Sequence, residues 1–272
     1  MSKKTGLKRN IIDKYYTKKN IVEKCVKLLK KNININYNND IIIEPSAGNG
    51  SFIESLKKIC KNHEFYDICP DNEFIKKQDY LELNLDEFNK FNKIHIIGNP
   101  PFGRQSTTAK KFIKKSCQNC DTLSFILPKS FKKDSFKRTF PLSFHLVEEF
   151  DLPEKSFTVD NIDHDVPCIF QIWQRRSEKR EVPKKLFPTY YKFVKKNENP
   201  DLSFRRIGVY AGKISKEINN KSPQSHYFIK FNNNIKINEF IEKYKKIKFN
   251  EDNTVGPKSI SKQELIAKIN IY

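Results

Sequence analysis

Between residues 40 and 128 the chain repeats one arrangement, in which a short apolar run ends in turn residues and gives way to a longer polar or helical stretch. The runs "DIIIEP", "HEFYDI" (63–68), "KIHIIG" (93–98) and "TLSFILP" (122–128) read as buried strands, and "TTAKKFIKKSC" reads as a helix between the last two. Strands joined by helical crossovers cannot pair as hairpins. They lie parallel and need helices over both faces of the sheet. Two later runs, "HLVEEFDLP" and "VPCIFQIWQ", have only a loop between them, which fits an antiparallel pair at one edge of that sheet. Upstream, Ile21, Val22, Cys25, Leu28 and Leu29 form the stripe of an amphipathic helix, and Ser51 stands where a cap could start another.

After Trp173 the segment "RRSEKREVPKKLFP", with Pro183 and Pro188, reads as a linker, so the expected division is 1–176 and 177–272. Beyond it, "LSFRRIGVYAGKI" and "SHYFIKF" look like strands, and "INEFIEKYKKI" and "SKQELIAKI" like helices, which predicts a small basic α+β region. There is no internal repeat of fixed period.

The length of 272 residues suits one large domain or one domain with an appendage. No stretch approaches the roughly 20 apolar residues of a membrane span, and Met1 to Lys19 lacks the apolar core of a secretory signal. The expectation is an intracellular, cytoplasmic protein. The six cysteines are scattered, and Cys117-x-x-Cys120 has no second pair to complete a zinc site, so reduced thiols on one helix face and no metal are expected. The net charge of +20 comes from 44 Lys and 8 Arg against 32 acidic residues. It permits a polyanionic partner, but a base-composition bias towards Lys, Asn and Ile codons would raise it equally.

Two constellations carry chemistry. The first is Glu44-Pro45-Ser46-Ala47-Gly48-Asn49-Gly50. Ligands of open parallel sheets sit at the carboxyl ends of strands, where a Gly-containing turn lets backbone come close. The third glycine of the dinucleotide fingerprint is missing, because position 53 is Ile, and so is the Gly-Lys-Ser/Thr of a Walker loop. An acid at the strand end suits a ligand with an ammonium group. S-adenosyl-L-methionine is such a ligand, with Asp67 at the next strand end placed for ribose hydroxyls, Asp79 for the adenine amine and Tyr80 packing nearby.

The second is Asn99-Pro100-Pro101-Phe102. Two prolines fix φ and remove N–H donors, so the turn presents acceptors in a rigid frame. The side-chain oxygen of Asn99 and the carbonyl of Pro100 can accept from one NH2 group, while Phe102 offers a stacking surface worth roughly 1–3 kcal/mol. Drawing the hydrogens of an exocyclic base amine out of plane localises its lone pair for in-line methyl transfer without a strong base.

"EPSAGNGSF" followed by "GNPPFG" resembles the class I S-adenosylmethionine-dependent methyltransferases, specifically the amino-methyltransferases that modify adenine N6. The resemblance covers roughly residues 11–175 and implies a Rossmann-like seven-stranded, mostly parallel sheet with a reversed final strand. It also implies cofactor binding by Glu44, Pro45, Ser46, Ala47, Gly48, Gly50, Asp67, Asp79 and Tyr80, and by Tyr16-Thr17, which resembles the aromatic-Thr pair of the family's N-terminal motif. The family's Pro after that Thr is Lys18 here, and Cys69-Pro70 replaces an acid-Pro, leaving Asp71 as a reserve for Asp67.

"FILPKSFKKDSFKRTFP" resembles the segment after the catalytic turn of such enzymes in large DNA viruses and bacteria. Lys129, Ser130, Lys132, Lys133, Lys137 and Arg138 there suit either phosphate contacts or a solvated helix face. The acidic loop 158–167, with His164, lies where family members place a loop over a flipped base. Arg205, Arg206 and Lys213, with Tyr210 interleaved, suit a nucleic-acid surface or a plain packing subdomain.

The expected activity is methylation of adenine N6 in nucleic acid, with DNA favoured. The alternatives are adenine-N6 or guanine-N2 methylation of RNA, glutamine methylation of proteins, and a non-catalytic binding module with a methyltransferase fold. Phe102 and the positive charge oppose the protein substrate. Nothing in the residues specifies an endonuclease or other partner subunit, and no membrane partner is expected.

Overall fold

The computed structural model describes residues 15–232, 235–249 and 258–270. The polar N-terminal stretch up to Lys14 lies outside them. The chain divides into two compact units, Met1–Glu181 and Val182–Tyr272.

In the first unit the elements run β1 (Tyr16–Thr17), α1 (Lys19–Asn32), β2 (Ile41–Glu44), α2 (Ile53–Lys57), β3 (Asn62–Asp67), β4 (Lys76–Lys77), β5 (Ile94–Gly98), α3 (Thr107–Asn119), β6 (Thr122–Pro128), α4 (Asp134–Lys137), β7 (Phe144–Asp151), β8 (Phe157–Val159), β9 (Ile162–His164) and β10 (Cys168–Arg175). A seven-stranded sheet has the order β4-β3-β2-β5-β6-β10-β7. Strands β4, β3, β2, β5 and β6 are parallel, and β10 runs antiparallel to both β6 and β7. This is a Rossmann-like, mostly parallel sheet with one reversed strand, as the resemblance implied. Its central strands β2, β5 and β6 are buried along their whole length, as continuous Ile, Leu and Phe runs require when both faces are covered.

The strand order reverses between β2 and β5, so the turns after these strands open onto one crevice, where open sheets place ligands. At the opposite end, His95 bridges Asp40 Oδ2 (3.1 Å) and Thr122 Oγ1 (2.8 Å), tying β2, β5 and β6 together through a buried polar relay. Burial depresses the His95 imidazole below its ordinary range, so it serves there as a neutral bridge.

Several local expectations are corrected. Helix α1 buries Val26 with Ile21, Val22, Cys25 and Leu29, leaving Leu28 only half-buried. Ser51 does not cap α2; Asn49 Oδ1 instead accepts the backbone N–H of Ser51 (3.2 Å) and its hydroxyl (2.6 Å). The acidic loop 158–167 contains the hairpin β8–β9, which pairs with β1 in a separate three-stranded sheet, Tyr16 opposite Thr158 and Thr17 opposite Phe157. The two compact units meet at Glu181/Val182, within the charged segment expected to be the linker. Arg175 donates to the carbonyls of Cys117, Cys120 and Gln118, and Arg180 to those of Phe144, Lys137 and Phe140, so the charged segment begins as a brace on the first unit.

Cys117 and Cys120 are buried free thiols at the C-terminal end of α3. Among the described residues no group of three or more His, Cys, Asp or Glu converges as a metal set, and no helix is long and apolar enough to cross a membrane.

The second unit is an antiparallel sheet of order β11-β14-β12-β13 (Tyr191–Val194, His226–Phe231, Leu202–Arg205, Ile214–Ser215), with α5 (Ile237–Tyr244) and α6 (Lys262–Ile269). Its core joins Leu202, Phe204, Ile229 and Phe231 to Phe240, Tyr244, Leu265 and Ile266. Ser261 and Glu264 close a capping box on α6.

Candidate active site

The turn after β2 is held by the next strand. Ala47 N–H donates to the Tyr66 carbonyl (2.9 Å), Gly48 N–H to Asp67 Oδ2 (2.8 Å), and Asp71 N–H to the Gly48 carbonyl (3.0 Å). Asp67 also accepts the Cys69 N–H on Oδ1 (2.8 Å). Each carboxylate oxygen therefore carries one backbone donor and keeps further acceptor capacity for a ligand. Gly48 has φ +55°, and a Cβ there would stand 3.2 Å from the ring of Tyr16, whose hydroxyl donates to Asp71. The N-terminal Tyr is thus folded down onto the glycine turn, and the bare Gly48 is what permits it.

These elements enclose a cavity of about 330 Å³ in the first unit. It brings together Tyr16, Thr17, Glu44, Pro45, Ser46, Ala47, Gly48, Asp67, Asp79, Tyr80, Asn99 and Pro101. Gly50, Pro100 and Phe102 do not line it. Gly50 closes the turn from behind, its N–H donating to the Ala47 carbonyl at 2.8 Å. Phe102 is half-buried and packs against the sheet's hydrophobic core, so its ring is committed to packing. The chain then reverses sharply through Gly103 (φ +67°), Gln105 and Ser106, both left-handed, before α3.

Tyr15, Ile68, Leu81, Thr108 and Phe112, which sequence reasoning did not place at the site, complete the lining together with Asn49, Ser51, Phe52 and Cys69, which lie in or beside the motifs. Phe52 carried a readable signal, directly after Ser51 at the end of the glycine turn, and Phe112 another, as an apolar residue of the predicted helix that follows Asn99-Pro100-Pro101-Phe102. Tyr15 carried none.

Glu44 is 2% exposed, and its Oε2 has no hydrogen-bond partner. Burial, with the Asp67 carboxylate adding to it, pushes its carboxyl well above the ordinary range. Tyr80 is buried, hydrogen-bonded to Ser116 Oγ (2.9 Å) and stacked on Phe112. Asp79 caps the turn that carries Tyr80 by accepting the Leu81 N–H (2.9 Å). Asn99 donates its amide to the Tyr15 carbonyl (3.1 Å) and, more weakly, to Thr17 Oγ1 (3.4 Å), while its backbone carbonyl accepts from Ser46 Oγ (3.2 Å). Its Oδ1 is buried without a partner. Buried orphan acceptors cost about 1–3 kcal/mol each, so two of them on residues that line one ligand-sized space mark a site that waits for donors.

The basic residues expected at phosphates are partly engaged within the chain. Lys132 pairs with Asp151 Oδ2 (2.6 Å), Lys129 lies 3.9 Å from its Oδ1, and Lys137 pairs with Glu149 (3.1 Å). Lys133 is half-buried and Arg138 exposed on the same segment. In the second unit, Arg205 donates to the Ile207 carbonyl (2.8 Å) and Ser225 Oγ (3.1 Å), bracing its own turn. Arg206 donates to the Gln224 carbonyl, and Lys213 sits 4.6 Å over the ring of Tyr210. His164 meets Tyr15 edge-on at 5.6 Å, and its neighbour Asp163 pairs with Lys18 (2.7 Å), so the hairpin clasps the N-terminal motif.

The Rossmann-like sheet with one reversed strand, its cavity at the strand ends, is the fold of class I methyltransferases. The chain belongs to the family of EDM2 methyltransferase-like domains, whose model matches residues 37–178. No curated protein matches it significantly. Among solved structures, it is similar to a candidate class I S-adenosylmethionine-dependent methyltransferase from Listeria monocytogenes, with 15% identity, TM-score 0.47 and 66% of each chain covered. It is also similar to a candidate RNA methyltransferase from Pyrococcus horikoshii (14% identity, TM-score 0.44, 63% of this chain and 92% of that one). A third is the magnesium protoporphyrin IX methyltransferase of Synechocystis, solved with bound S-adenosylmethionine (12% identity, TM-score 0.42, 58% and 79%).

Proposed function

We propose that the protein methylates the exocyclic N6 amine of adenine in nucleic acid, with DNA the favoured substrate and S-adenosyl-L-methionine the methyl donor. The observation that carries this reading is Asn99, whose amide is spent on Tyr15 while its buried Oδ1 remains free to accept. An Asn oriented in this way can recognise an NH2 group and cannot recognise a carbonyl.

The cavity residues fit the cofactor. Glu44 offers an orphan carboxylate oxygen to a cationic group, Asp67 keeps acceptor capacity for ribose hydroxyls, and Gly48 leaves the space that a Cβ would fill. When bound, S-adenosylmethionine supplies an electrophilic methyl group on a sulfonium. Asn99 Oδ1 would then hold the amine and draw its hydrogens out of the ring plane, raising the nucleophilicity of the nitrogen; as the N–C bond forms the methyl–sulfur bond breaks to leave a neutral thioether, and the methylated nitrogen, now strongly acidic, loses one of those hydrogens as a proton to water. Pro100 and Pro101 keep the turn from relaxing, which suits catalysis by positioning and electrostatics. Pro101 stands in the cavity wall, whereas Phe102 supports the turn through the core.

The test is transfer of radiolabelled methyl to separate DNA and structured-RNA pools, each digested to nucleosides and identified by mass. N6-methyladenine in the DNA pool is expected. Label confined to the RNA pool would move the substrate class, and cofactor binding without transfer to either pool would overturn the reading.

A further inference from the structure

We infer that the second unit carries its own binding site for a nucleic-acid strand, a groove between β11, β14 and the start of α6 that grips the phosphodiester backbone. This rests on the reading that the substrate is a nucleic acid, and concerns residues outside the matched family region. The groove, about 810 Å³, is lined by Phe193, Lys195, Lys196, Arg206, Tyr227 and Lys262, among others. No Asp or Glu is in its lining, and among the described residues none of its four cations forms an ion pair.

Two of the four cations, Lys262 and Arg206, are held over aromatic rings, and a third, Lys196, donates to the Asn219 carbonyl (2.7 Å). Lys262 Nζ stands 4.6 Å from the centre of Phe193 and 5.7 Å from that of Tyr227. The Arg206 guanidinium lies 5.3 Å over Tyr227 and donates to the Gln224 carbonyl (3.2 Å) and Tyr227 Oη (3.4 Å). Tyr227 is itself fixed, stacked on Phe204 and donating to the Ile260 carbonyl (3.2 Å). Holding Lys and Arg over rings removes side-chain freedom before any ligand arrives, and the ring faces exclude a neutralising carboxylate.

The charge distribution agrees. Residues 182–272 carry 19 basic against 8 acidic residues, a net +11 of the chain's +20 in one third of its length. A uniform codon bias would spread the excess evenly. Cations without acids, interleaved with aromatic planes, fit a strand of phosphates and bases.

The experiment measures binding of the full-length protein to fluorescein-labelled 12-mers of single-stranded DNA and RNA across a salt series, without cofactor. Arg206→Ala with Lys262→Ala should weaken binding about tenfold and lower the log–log salt slope by roughly 1.5, since each lost phosphate contact removes 0.7–0.9. Lys30→Ala with Lys31→Ala, an equal charge loss at the end of α1, should leave both nearly unchanged. Calorimetric S-adenosylmethionine affinity and melting temperature report whether the variants are folded; Lys262→Glu, at an exposed position, serves if Arg206→Ala is not. Weakening in both polymers assigns the shared backbone, and weakening in one assigns that polymer. Equal loss from both lysine-bearing pairs, or none from either, overturns the site. Because no methyl transfer is read, this result stands apart from the fate of the catalytic reading.

Discussion

Asn99 donates its side-chain amide to the backbone carbonyl of Tyr15 at 3.1 Å, across 84 residues of chain. That bond decides which end of the Asn99 amide is left for a substrate. It also makes Tyr15 to Thr17, clasped by the β8–β9 hairpin, part of the support of the Asn-Pro-Pro turn.

Asn99→Ala removes the acceptor and leaves the glycine turn untouched. Methyl transfer should fall on the order of 100-fold or more, while S-adenosylmethionine affinity stays within about twofold. Single-turnover rates and calorimetry separate the two; a parallel loss of cofactor affinity would refute the division of labour.

Gly48→Ala forces a left-handed residue, which costs roughly 1–2 kcal/mol, and presses a methyl against the Tyr16 ring. Cofactor affinity should weaken at least tenfold and the melting temperature should drop. Tyr16→Ala on that background should recover part of the affinity if the ring is the obstacle.

Asp67→Asn exchanges one acceptor oxygen for an NH2 that must face the N–H of either Gly48 or Cys69. Donor against donor leaves a backbone group unpaired, at about 1–3 kcal/mol. Chemical denaturation should show that loss, and calorimetry a weaker cofactor.

Glu44 gives a pH signature. Its folded-state carboxyl is raised above the unfolded value of 4.5, so the native chain holds more protons there. Stability from this group is complete below about pH 4.5 and declines as pH rises through the folded value. Glu44→Gln should flatten that decline, gaining melting temperature relative to the parent at pH 8 and little at pH 4.5. A cationic ligand favours the ionised form, so cofactor binding by the parent should release a proton, read as a dependence of binding heat on buffer ionisation enthalpy; Glu44→Gln should abolish it.

Much of the fold was legible because its signals are local. Buried runs such as "IIIE" and "IHIIG" and the amphipathic stripe of α1 each lie within a dozen residues, and period and turn chemistry encode them directly. The two motifs were legible as motifs, since glycine opens backbone conformations that other residues avoid and proline closes them, wherever they stand.

By itself, then, the sequence determined the central strands, the glycine turn and the rigid Asn-Pro-Pro frame, because apolar runs and turn residues specify each of these over a few positions. Tertiary packing alone decided the rest: that Tyr15 orients Asn99, that Phe102 turns into the core, that Arg175 and Arg180 brace carbonyls in a segment that reads as a linker, and that Lys262 and Arg206 meet over Tyr227. These are pairings between residues distant in sequence. A lone Tyr, Phe or Arg has many possible partners, and only the closed fold, which must satisfy every buried donor and fill every space at once, selects among them.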